Sequence, residues 1–424
     1  MELNPFDGNL RNTYAVACYR AGDFAAAARE FEASDELAPG RYTAMNAYFL
    51  AMAHHRMGEF DVAHRWFRAA NAWQRKQNVA DWNRFQNEAA NVLGIAAAAD
   101  LVSVDAGGNE IDLLGLLLEA NPDAAWAYVR RAVLWDQQGE TEKAAEDRQQ
   151  AARCFDQLIA YAPGEVYPYA ARAVFREQNS ETTGAIADWT EIIERRPDLA
   201  SIWMRRGGLL AQLERYDEAA NDFAEAVELD AKFFRPRYLL ALTQLCIGDM
   251  PGYQHTCAAM VDTFLETDDM IEAKFTSWSC VLGTEAVDSY ANVTRLAEKS
   301  VSMERKLKLG TLGAALYRAG RYDEALARLN QAEVLNSLTE TSTDTSPAYR
   351  WYFLAMTHHC LGNTEKSRAF LHRALERTEQ ALASPPELEG GNWFRLATLR
   401  LLRDEAQSLT KNEQSVRTGN LLAK

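Results

Sequence analysis

The chain has 424 residues, of which 48% are apolar and 25% charged, and its formal net charge is −15. This balance is typical of globular proteins and excludes a chain that is disordered throughout. The longest apolar stretches, around residues 111–120 and 239–247, are much shorter than the roughly 20 residues that span a bilayer. Because the negative charge repels phosphate groups, neither a membrane nor a nucleic acid is expected as a partner.

Neither the first residues nor the cysteines indicate export or metal binding. Residues 1–7 lack the basic start and apolar run of a secretion signal, so a cytoplasmic location is expected. The cysteines, at positions 18, 154, 246, 257, 280 and 360, never have the CxxC spacing of zinc or redox sites. We therefore expect no metal and no cofactor.

The first predicted block, residues 8–99, contains two helical repeats and one additional helix over 82–99. Both repeats have a glycine at the end of the first helix, followed by an alanine and an aromatic residue in the second helix. These residues are Gly22, Ala27 and Phe31 in the first repeat, and Gly58, Ala63 and Phe67 in the second.

The central block, residues 100–300, contains repeats three to six together with irregular helices. Pro163, Pro197 and Ala231 close successive units at a spacing of 34 residues. The segment 203–231 is the most regular, with Trp203, Gly207, Leu210, Ala219 and Phe223 in repeat positions, although Arg206 stands where leucine is usual. Weaker repeats are predicted over 124–163, 167–197 and 234–265.

The last block, residues 301–411, repeats the first block. Residues 352–362 match residues 48–58 closely, and residues 317–322 match residues 19–24. These segments belong to repeats seven and eight, and an additional helix is predicted over 392–409. The final residues, 412–424, lose the apolar period and are expected to be a frayed tail.

The spacing and residue types resemble those of the tetratricopeptide repeat, a helical hairpin of about 34 residues. The resemblance implies an all-α fold, a tetratricopeptide-type α-solenoid, in which antiparallel helix pairs form a right-handed superhelix with extra non-repeat helices. In six of the repeats, the turn after the first helix carries a glycine for which a left-handed backbone conformation is expected. These glycines are at positions 22, 58, 139, 248, 320 and 362.

The resemblance also implies a concave wall, formed by the first helix of each repeat, that binds peptides or protein domains. At the corresponding positions aromatic and basic residues are common, as at interface hot spots. The candidate groove residues are Tyr48, Phe49, His55, Trp126, Arg130, Tyr167, Met204, Arg205, Arg235, Tyr238, Tyr352 and His359. The expected partner is a protein or peptide, with an acidic peptide as one candidate.

The chain is further similar to the repeat arrays at the C-terminal end of large bacterial signalling proteins, including serine/threonine protein kinases. The segments 48–55, 248–253, 278–282 and 312–320 carry this likeness. No glycine-rich loop, HRD or DFG motif is present, so kinase activity itself is not implied.

Three functions are compatible with these observations. The first is a non-catalytic scaffold or adaptor, and the second is the partner-recruiting region of a bacterial kinase or other regulator. An enzyme with an unrecognised site is the third, although no phosphate-loop, GxSxG or HExxH motif occurs and no catalytic residue can be named. Adjacent histidines at 54–55 and 358–359 point about 100° apart on a helix, which favours packing over metal binding.

Overall fold

The computed structural model describes residues 7–77, 82–95, 109–301, 309–337, 346–383 and 393–422. Every regular element in these ranges is a helix, which confirms the all-α prediction. The chain divides into two compact units, residues 1–195 (unit 1) and 196–424 (unit 2). The division into three blocks and the frayed tail from residue 412 stay predictions.

The described residues of unit 1 form four helix pairs and two additional helices. The helices are α1 (Gly8–Ala21), α2 (Phe24–Leu37), α3 (Thr43–Arg56), α4 (Phe60–Gln77), α5 (Asn83–Leu93), α6 (Glu110–Ala120), α7 (Ala125–Gln137), α8 (Thr141–Tyr161), α9 (Tyr167–Gln178) and α10 (Thr182–Arg195). The pairs are α1–α2, α3–α4, α7–α8 and α9–α10, whereas α5 packs on α3 and α6 lies against α4 and α7.

In the part of unit 2 that the structure describes there are five helix pairs and one additional helix. The helices are α11 (Ala200–Gln212), α12 (Tyr216–Leu229), α13 (Phe234–Ile247), α14 (Met250–Phe264), α15 (Met270–Leu282), α16 (Ala291–Val301), α17 (Leu309–Arg318), α18 (Tyr322–Ser337), α19 (Pro347–Cys360), α20 (Thr364–Ala383) and α21 (Trp393–Leu422). The helices α15 and α16 fall in the central block, for which the sequence predicts irregular helices besides the repeats, and they are joined by a loop of eight residues instead of a tight turn.

Side chains at the helix starts explain where several of these helices begin. Asp7 and Asp23 cap α1 and α2 by accepting hydrogen bonds from backbone N–H groups in the first turn. Asn109 and Asp112 form a reciprocal capping box at the start of α6. These contacts are local, since each joins residues within a few positions of the helix start.

The predicted glycine turns are confirmed. All six glycines have a positive φ between 73° and 85°, in the left-handed region. At Gly22, for example, the backbone N–H donates to the carbonyl oxygen of Tyr19 at the end of α1. Because a Cβ atom is disfavoured in this conformation, glycine lets the chain reverse at low cost.

Two equivalent turns have no glycine, and this suggests a stabilising substitution. Ser180 has φ 60° between α9 and α10, and Glu214 has φ 58° between α11 and α12. We expect Ser180→Gly to raise the free energy of unfolding by about 0.5–1 kcal/mol, because the strain exceeds the extra chain entropy of glycine. Chemical denaturation checks this, with Ser180→Ala as the control; a gain for alanine equal to that for glycine would contradict a backbone origin.

Small residues allow the paired helices to approach closely. A Cβ atom on Gly207 would lie 2.9 Å from the Phe223 ring, and one on Gly313 would lie 2.6 Å from the Leu329 side chain. Ala219 and Ala325, in the partner helices, are fully buried. The repeat pattern therefore reflects helix packing, as expected from the sequence.

Three central helix pairs share a buried arginine–aspartate ion pair that spans 16 residues. The pairs are Arg131–Asp147, Arg172–Asp188 and Arg206–Asp222, with closest N–O distances of 2.6–2.7 Å. This explains Arg206, which departs from the usual repeat pattern: its guanidinium binds the carboxylate of the second helix with two hydrogen bonds. Burial nevertheless raises the pKa of Asp222, against the opposing effect of Arg206.

The duplicated blocks also share their side-chain contacts. In each block a tyrosine and a phenylalanine meet edge to face, an arginine lies over both rings, and the same arginine binds a glutamate of the additional helix. The residues are Tyr19, Phe49, Arg20 and Glu88 in unit 1, and Tyr317, Phe353, Arg318 and Glu405 in unit 2. The ring centroids are 5.4 and 5.8 Å apart, respectively.

Each unit also folds back on itself. In unit 1 the second helix of the first repeat, α2, packs against α7 and α9. In unit 2 the additional helix α21 packs against α13 and α15 as well as against its chain neighbours α19 and α20. These contacts between distant repeats cover surfaces that would be open in an extended array.

Candidate functional site

Half of the twelve predicted groove residues are buried, and here the structure corrects the sequence-based prediction. The buried residues are Tyr48, Phe49, Trp126, Tyr167, Tyr238 and Tyr352, each with 9% or less of its surface exposed. A partner cannot contact these side chains without displacing part of the helix stack. The reasons differ between positions.

Tyr48 and Tyr352 point towards the second helix of their own repeat. The Tyr48 hydroxyl donates to Asn71 of α4 at 2.8 Å, and the Tyr352 hydroxyl is 2.7 Å from that of Thr378 in α20. Phe49 stacks on Phe31 with ring centroids 5.1 Å apart. These side chains fill the layers between helices, so their role is packing.

Trp126 and Tyr167 are covered because unit 1 folds back on itself. The backbone N–H of Trp126 donates to Glu36 of α2 at 3.0 Å. The Arg11 guanidinium of α1 lies 4.6 Å from the centre of the Tyr167 ring. The first repeat therefore occupies the wall that these two residues were predicted to offer to a ligand.

Tyr238 is covered by the additional helix of unit 2. Its ring is 6.3 Å from that of Phe394 in α21 and 5.1 Å from that of Phe275 in α15. Trp393, next to Phe394, stacks on Phe223 of α12 at 6.2 Å. The start of α21 thus fills this part of the inner face with aromatic side chains.

The other six predicted residues reach the surface to different degrees. His55, Met204 and His359 are half-buried, whereas Arg130, Arg205 and Arg235 are exposed. Arg130 pairs with Glu110 at 2.6 Å, and its hydrogen bond lowers the pKa of that carboxyl. His55 lies against Phe60 with ring centroids 4.9 Å apart.

A cleft of about 660 Å³ opens in unit 1 where the first repeat meets α8 and α9. Its charged lining consists of five carboxylates and two arginines, and polar, sulfur-containing, aromatic and aliphatic side chains complete the wall. The charged residues are Glu30, Glu32, Glu36, Asp123, Glu165, Arg11 and Arg29, and Cys154, Tyr161 and Tyr167 are among the others. A concave site with convergent polar groups is the usual form of a ligand pocket.

Two of these carboxylates, Glu32 and Glu36, have no cationic side chain within salt-bridge distance in the described part of the chain. Glu32 accepts a hydrogen bond from Asn121 at 3.3 Å, and Glu36 accepts one from the backbone of Trp126. Burial raises the pKa of Glu32 to about 7 and that of Glu36 to about 8. Nearby acids reinforce this effect, since Asp123 raises the pKa of Glu32 and Asp35 that of Glu36.

Asp35 lies on the same helix as these glutamates but points into the protein. Its carboxylate accepts from the Asn46 side chain at 2.9 Å, and Asn46 accepts in turn from Asn12. Burial raises the Asp35 pKa to about 7. The sequence contains a signal that would have revealed this residue: Asp35 continues the stripe of Ala27, Ala28 and Phe31, so an acid stands where the pattern requires an apolar residue.

Neither of the two arginines in the cleft lies within salt-bridge distance of Glu32 or Glu36. Arg11 pairs with Glu30 at 2.8 Å and with Glu165 at 3.6 Å. The charge of Arg29 lowers the pKa of Glu32 but does not outweigh burial. The cleft as a whole therefore carries an excess of negative charge.

Unit 2 contains a second cavity, of about 750 Å³, under the loop that joins α15 to α16. Glu285 in this loop has φ 54°, a strained conformation for a residue with a side chain. The arginine in its wall, Arg318, is neutralised by Glu405. No uncompensated buried charge distinguishes this cavity within the described residues.

The histidine pairs behave as packing residues. His358 is 3% exposed and stacks on Phe370 at 5.7 Å, and burial lowers its pKa. His54 contacts Glu59, with its Nδ1 atom 2.5 Å from the carboxylate. Among the described residues, no three His, Cys, Asp or Glu side chains are arranged to hold a metal ion. Within the same residues, every helix is too short or too polar to traverse a bilayer.

Comparison with known families identifies the repeats. Tetratricopeptide repeat family models match residues 10–33, 47–69, 171–232, 309–331 and 353–386. These segments include helix pairs that the sequence analysis assigned to repeats one, two, four, five, seven and eight. No curated protein sequence gives a significant match.

Several solved structures are similar at low sequence identity. Yeast Tom70 is 16% identical, with 98% of this chain and 91% of that one covered and a TM-score of 0.33. Pseudomonas aeruginosa PilF is also 16% identical, with coverages of 68% and 98% and a TM-score of 0.33. A tetratricopeptide repeat protein from Parabacteroides merdae is 15% identical, with coverages of 69% and 90% and a TM-score of 0.35.

None of these similarities is high enough to transfer a partner or an activity. The repeat matches and the helix pairs agree with each other, however, and they lie in both units. The matched segments are therefore tetratricopeptide repeats, and the described residues have the all-α fold of helix pairs with additional helices that the sequence predicts.

Proposed function

We propose that this chain is a non-catalytic adaptor that binds a partner polypeptide, and that the cleft of unit 1 receives a lysine or arginine side chain of that partner. Proteins with tetratricopeptide repeats generally mediate protein–protein interactions. The observation that carries the proposal is the pair of carboxylates, Glu32 and Glu36, which lie in a concave cleft and have no cationic side chain at salt-bridge distance among the described residues.

Glu32 and Glu36 are half-buried in the cleft, so their carboxyl groups are partly removed from water. A carboxylate removed from water is destabilised unless a cation or several hydrogen bonds compensate it. Here the hydrogen bond from Asn121 to Glu32 and the backbone hydrogen bonds to Glu36 compensate only in part, and burial keeps the pKa of both carboxyl groups raised. A guanidinium or ammonium group entering the cleft would supply the missing charge and additional N–H donors.

This proposal changes the expected charge of the partner. The sequence suggested an acidic peptide as one candidate, on the basis of arginines in the first helices of the repeats. Of these, Arg130 is already paired with Glu110. The net charge of −15 also attracts basic segments over a longer range and increases their rate of encounter.

Peptide binding to the full chain tests the proposal. Fluorescence anisotropy would compare peptides that contain lysine and arginine with versions that carry glutamine or glutamate at the same positions. We expect the basic peptides to bind most tightly, and Glu32→Gln combined with Glu36→Gln to weaken them about 10- to 100-fold, because the ion pair is lost.

The control is a change of the same type outside the cleft. Glu146 is exposed on α8, so Glu146→Gln removes a surface carboxylate from the same unit and should leave the affinity within about twofold. Preferential binding of the acidic peptides, or equal weakening by the cleft and control substitutions, would show that the cleft is not the recognition site.

The broader biological setting is proposed from the resemblance in the sequence. We propose that such an adaptor acts in the cytoplasm, in bacterial signalling, with a polypeptide partner and without nucleic acid or membrane. Alternatively, the chain is the partner-recruiting region of a bacterial serine/threonine kinase or other regulator. The sequence encoded on either side of these residues in the source genome distinguishes the two, because a kinase would carry the HRD and DFG motifs in the same reading frame.

A further inference from the structure

The cleft of unit 1 brings several carboxyl groups together in its wall. Glu32 and Glu36 lie one turn apart on α2, with Asp35 beside them on the same helix. Asp123 and Glu165 line the cleft from the opposite elements. Like charges at this density favour retention of protons on some of the carboxyl groups.

The cationic groups near these acids come only from the first repeat among the residues that line the cleft. They are Arg11 of α1, which pairs with Glu30, and Arg29 of α2. The Arg11 guanidinium also contacts the Tyr167 ring of α9.

Among the described lining residues, those from the remaining elements carry no positive charge. The turn before α7 contributes Asp123, and the turn before α9 contributes Glu165. The helix α8 contributes the Cys154 thiol and the Tyr161 phenol, and burial raises the pKa of that thiol to about 11. Outside the wall, the charge of Glu59 further raises the pKa of Glu32.

We propose that the cleft exchanges protons for its ligand: the empty cleft holds protons on Glu32 and Glu36, and a basic side chain releases them when it enters. This inference rests on the proposed function, since it concerns the same site. The pKa values of about 7 and 8 place the exchange in the physiological range. Binding is then regulated by pH.

The exchange is a proton transfer to solvent and requires no other reactant. A carboxyl group of Glu32 or Glu36 loses the proton of its O–H bond to water or buffer, and the resulting carboxylate accepts N–H hydrogen bonds from the entering cation. When one proton leaves and one cationic side chain enters, the occupied cleft has the same net charge as the empty, protonated cleft. No covalent bond to the ligand forms.

The direction of the pH effect follows from this balance. Because the ligand prefers ionised carboxylates, its affinity rises with pH until both groups are ionised in the empty cleft, above about pH 8. Below that range, the affinity falls by about tenfold for each unit by which the pH is lowered, for each proton released. An exposed acidic surface with ordinary pKa values would give almost constant affinity between pH 6 and 8.

Calorimetry of the full chain with a lysine- and arginine-containing peptide measures the released protons. Titrations at pH 7 in buffers of different ionisation enthalpy should give about one to two protons released per peptide bound. The Glu32→Gln, Glu36→Gln double variant should release none, and Glu146→Gln should behave as the unsubstituted chain. Tight binding without proton release would overturn the inference while leaving the proposed function intact.

A titration without ligand separates the two proposals. Potentiometric titration of the empty chain between pH 6 and 9 should release up to two more protons than titration of the double variant. If this difference is present but basic peptides do not bind, the proposed function fails and the protonated cleft stands. If the difference is absent, the carboxyl groups are already ionised at pH 6 and the exchange does not occur.

Discussion

Replacement of Asp188 by alanine is expected to lower the free energy of unfolding by about 3–5 kcal/mol. Asp188 is 1% exposed and accepts hydrogen bonds from Arg172 at 2.6 Å and from Arg176 at 2.7 Å. Its removal leaves two partly buried guanidinium groups without their shared carboxylate. Urea denaturation, combined with hydrogen exchange of the α9 and α10 amides, measures the loss.

The matched control uses the second carboxylate on the same arginine. Asp156 also binds Arg172 at 2.6 Å, but 65% of its side chain is exposed. Because solvent screens this ion pair, Asp156→Ala should cost less than about 1 kcal/mol. Equal losses for the two variants would mean that burial does not govern the strength of these ion pairs.

Adjacent glycines in α11 should respond to alanine with opposite signs. A Cβ atom at Gly207 would lie 2.9 Å from Phe223 and 3.1 Å from Asp222, so Gly207→Ala should destabilise unit 2 by about 1–3 kcal/mol. At Gly208 there is no atom within 4 Å of the added Cβ, so Gly208→Ala should stabilise the unit by about 0.5–1 kcal/mol.

Thermal denaturation followed by circular dichroism distinguishes the two variants. The Phe223 ring cannot move away easily, because it is fully buried and stacks on Trp393 of α21. A melting temperature that rises for both variants would show that helix propensity dominates and that the two helices do not approach as closely as described.

The helix pairs and their turns were predictable because they depend on contacts close in sequence. Glycine at position 22 or 320 is required by the local backbone conformation, whatever lies elsewhere in the protein. Gly207 and Ala219 belong to neighbouring helices of one hairpin, so their small size is also explained within a single repeat. The duplicated contacts of Arg20 and Arg318 follow from the matching sequences of the two blocks.

The candidate site was less predictable because its accessibility depends on contacts between distant repeats. Trp126 and Tyr167 occupy groove positions in their repeats, but the first repeat covers them. Tyr238 occupies such a position too, and the start of α21 covers it. A repeat pattern describes how each hairpin packs on the next one and contains no information about where a unit closes on itself.

The sequence by itself determined that this protein is an all-α array of tetratricopeptide-type helix pairs with additional helices, because helix period, capping and turn conformation are local properties. Only the tertiary structure decided which side chains reach solvent. It did so by placing α2 against α7 and α9, which buries predicted ligand contacts and creates the acidic cleft around Glu32 and Glu36. Burial raises the pKa of these carboxyl groups only after residues more than 80 positions apart have come together, as in the contact between Glu36 and Trp126.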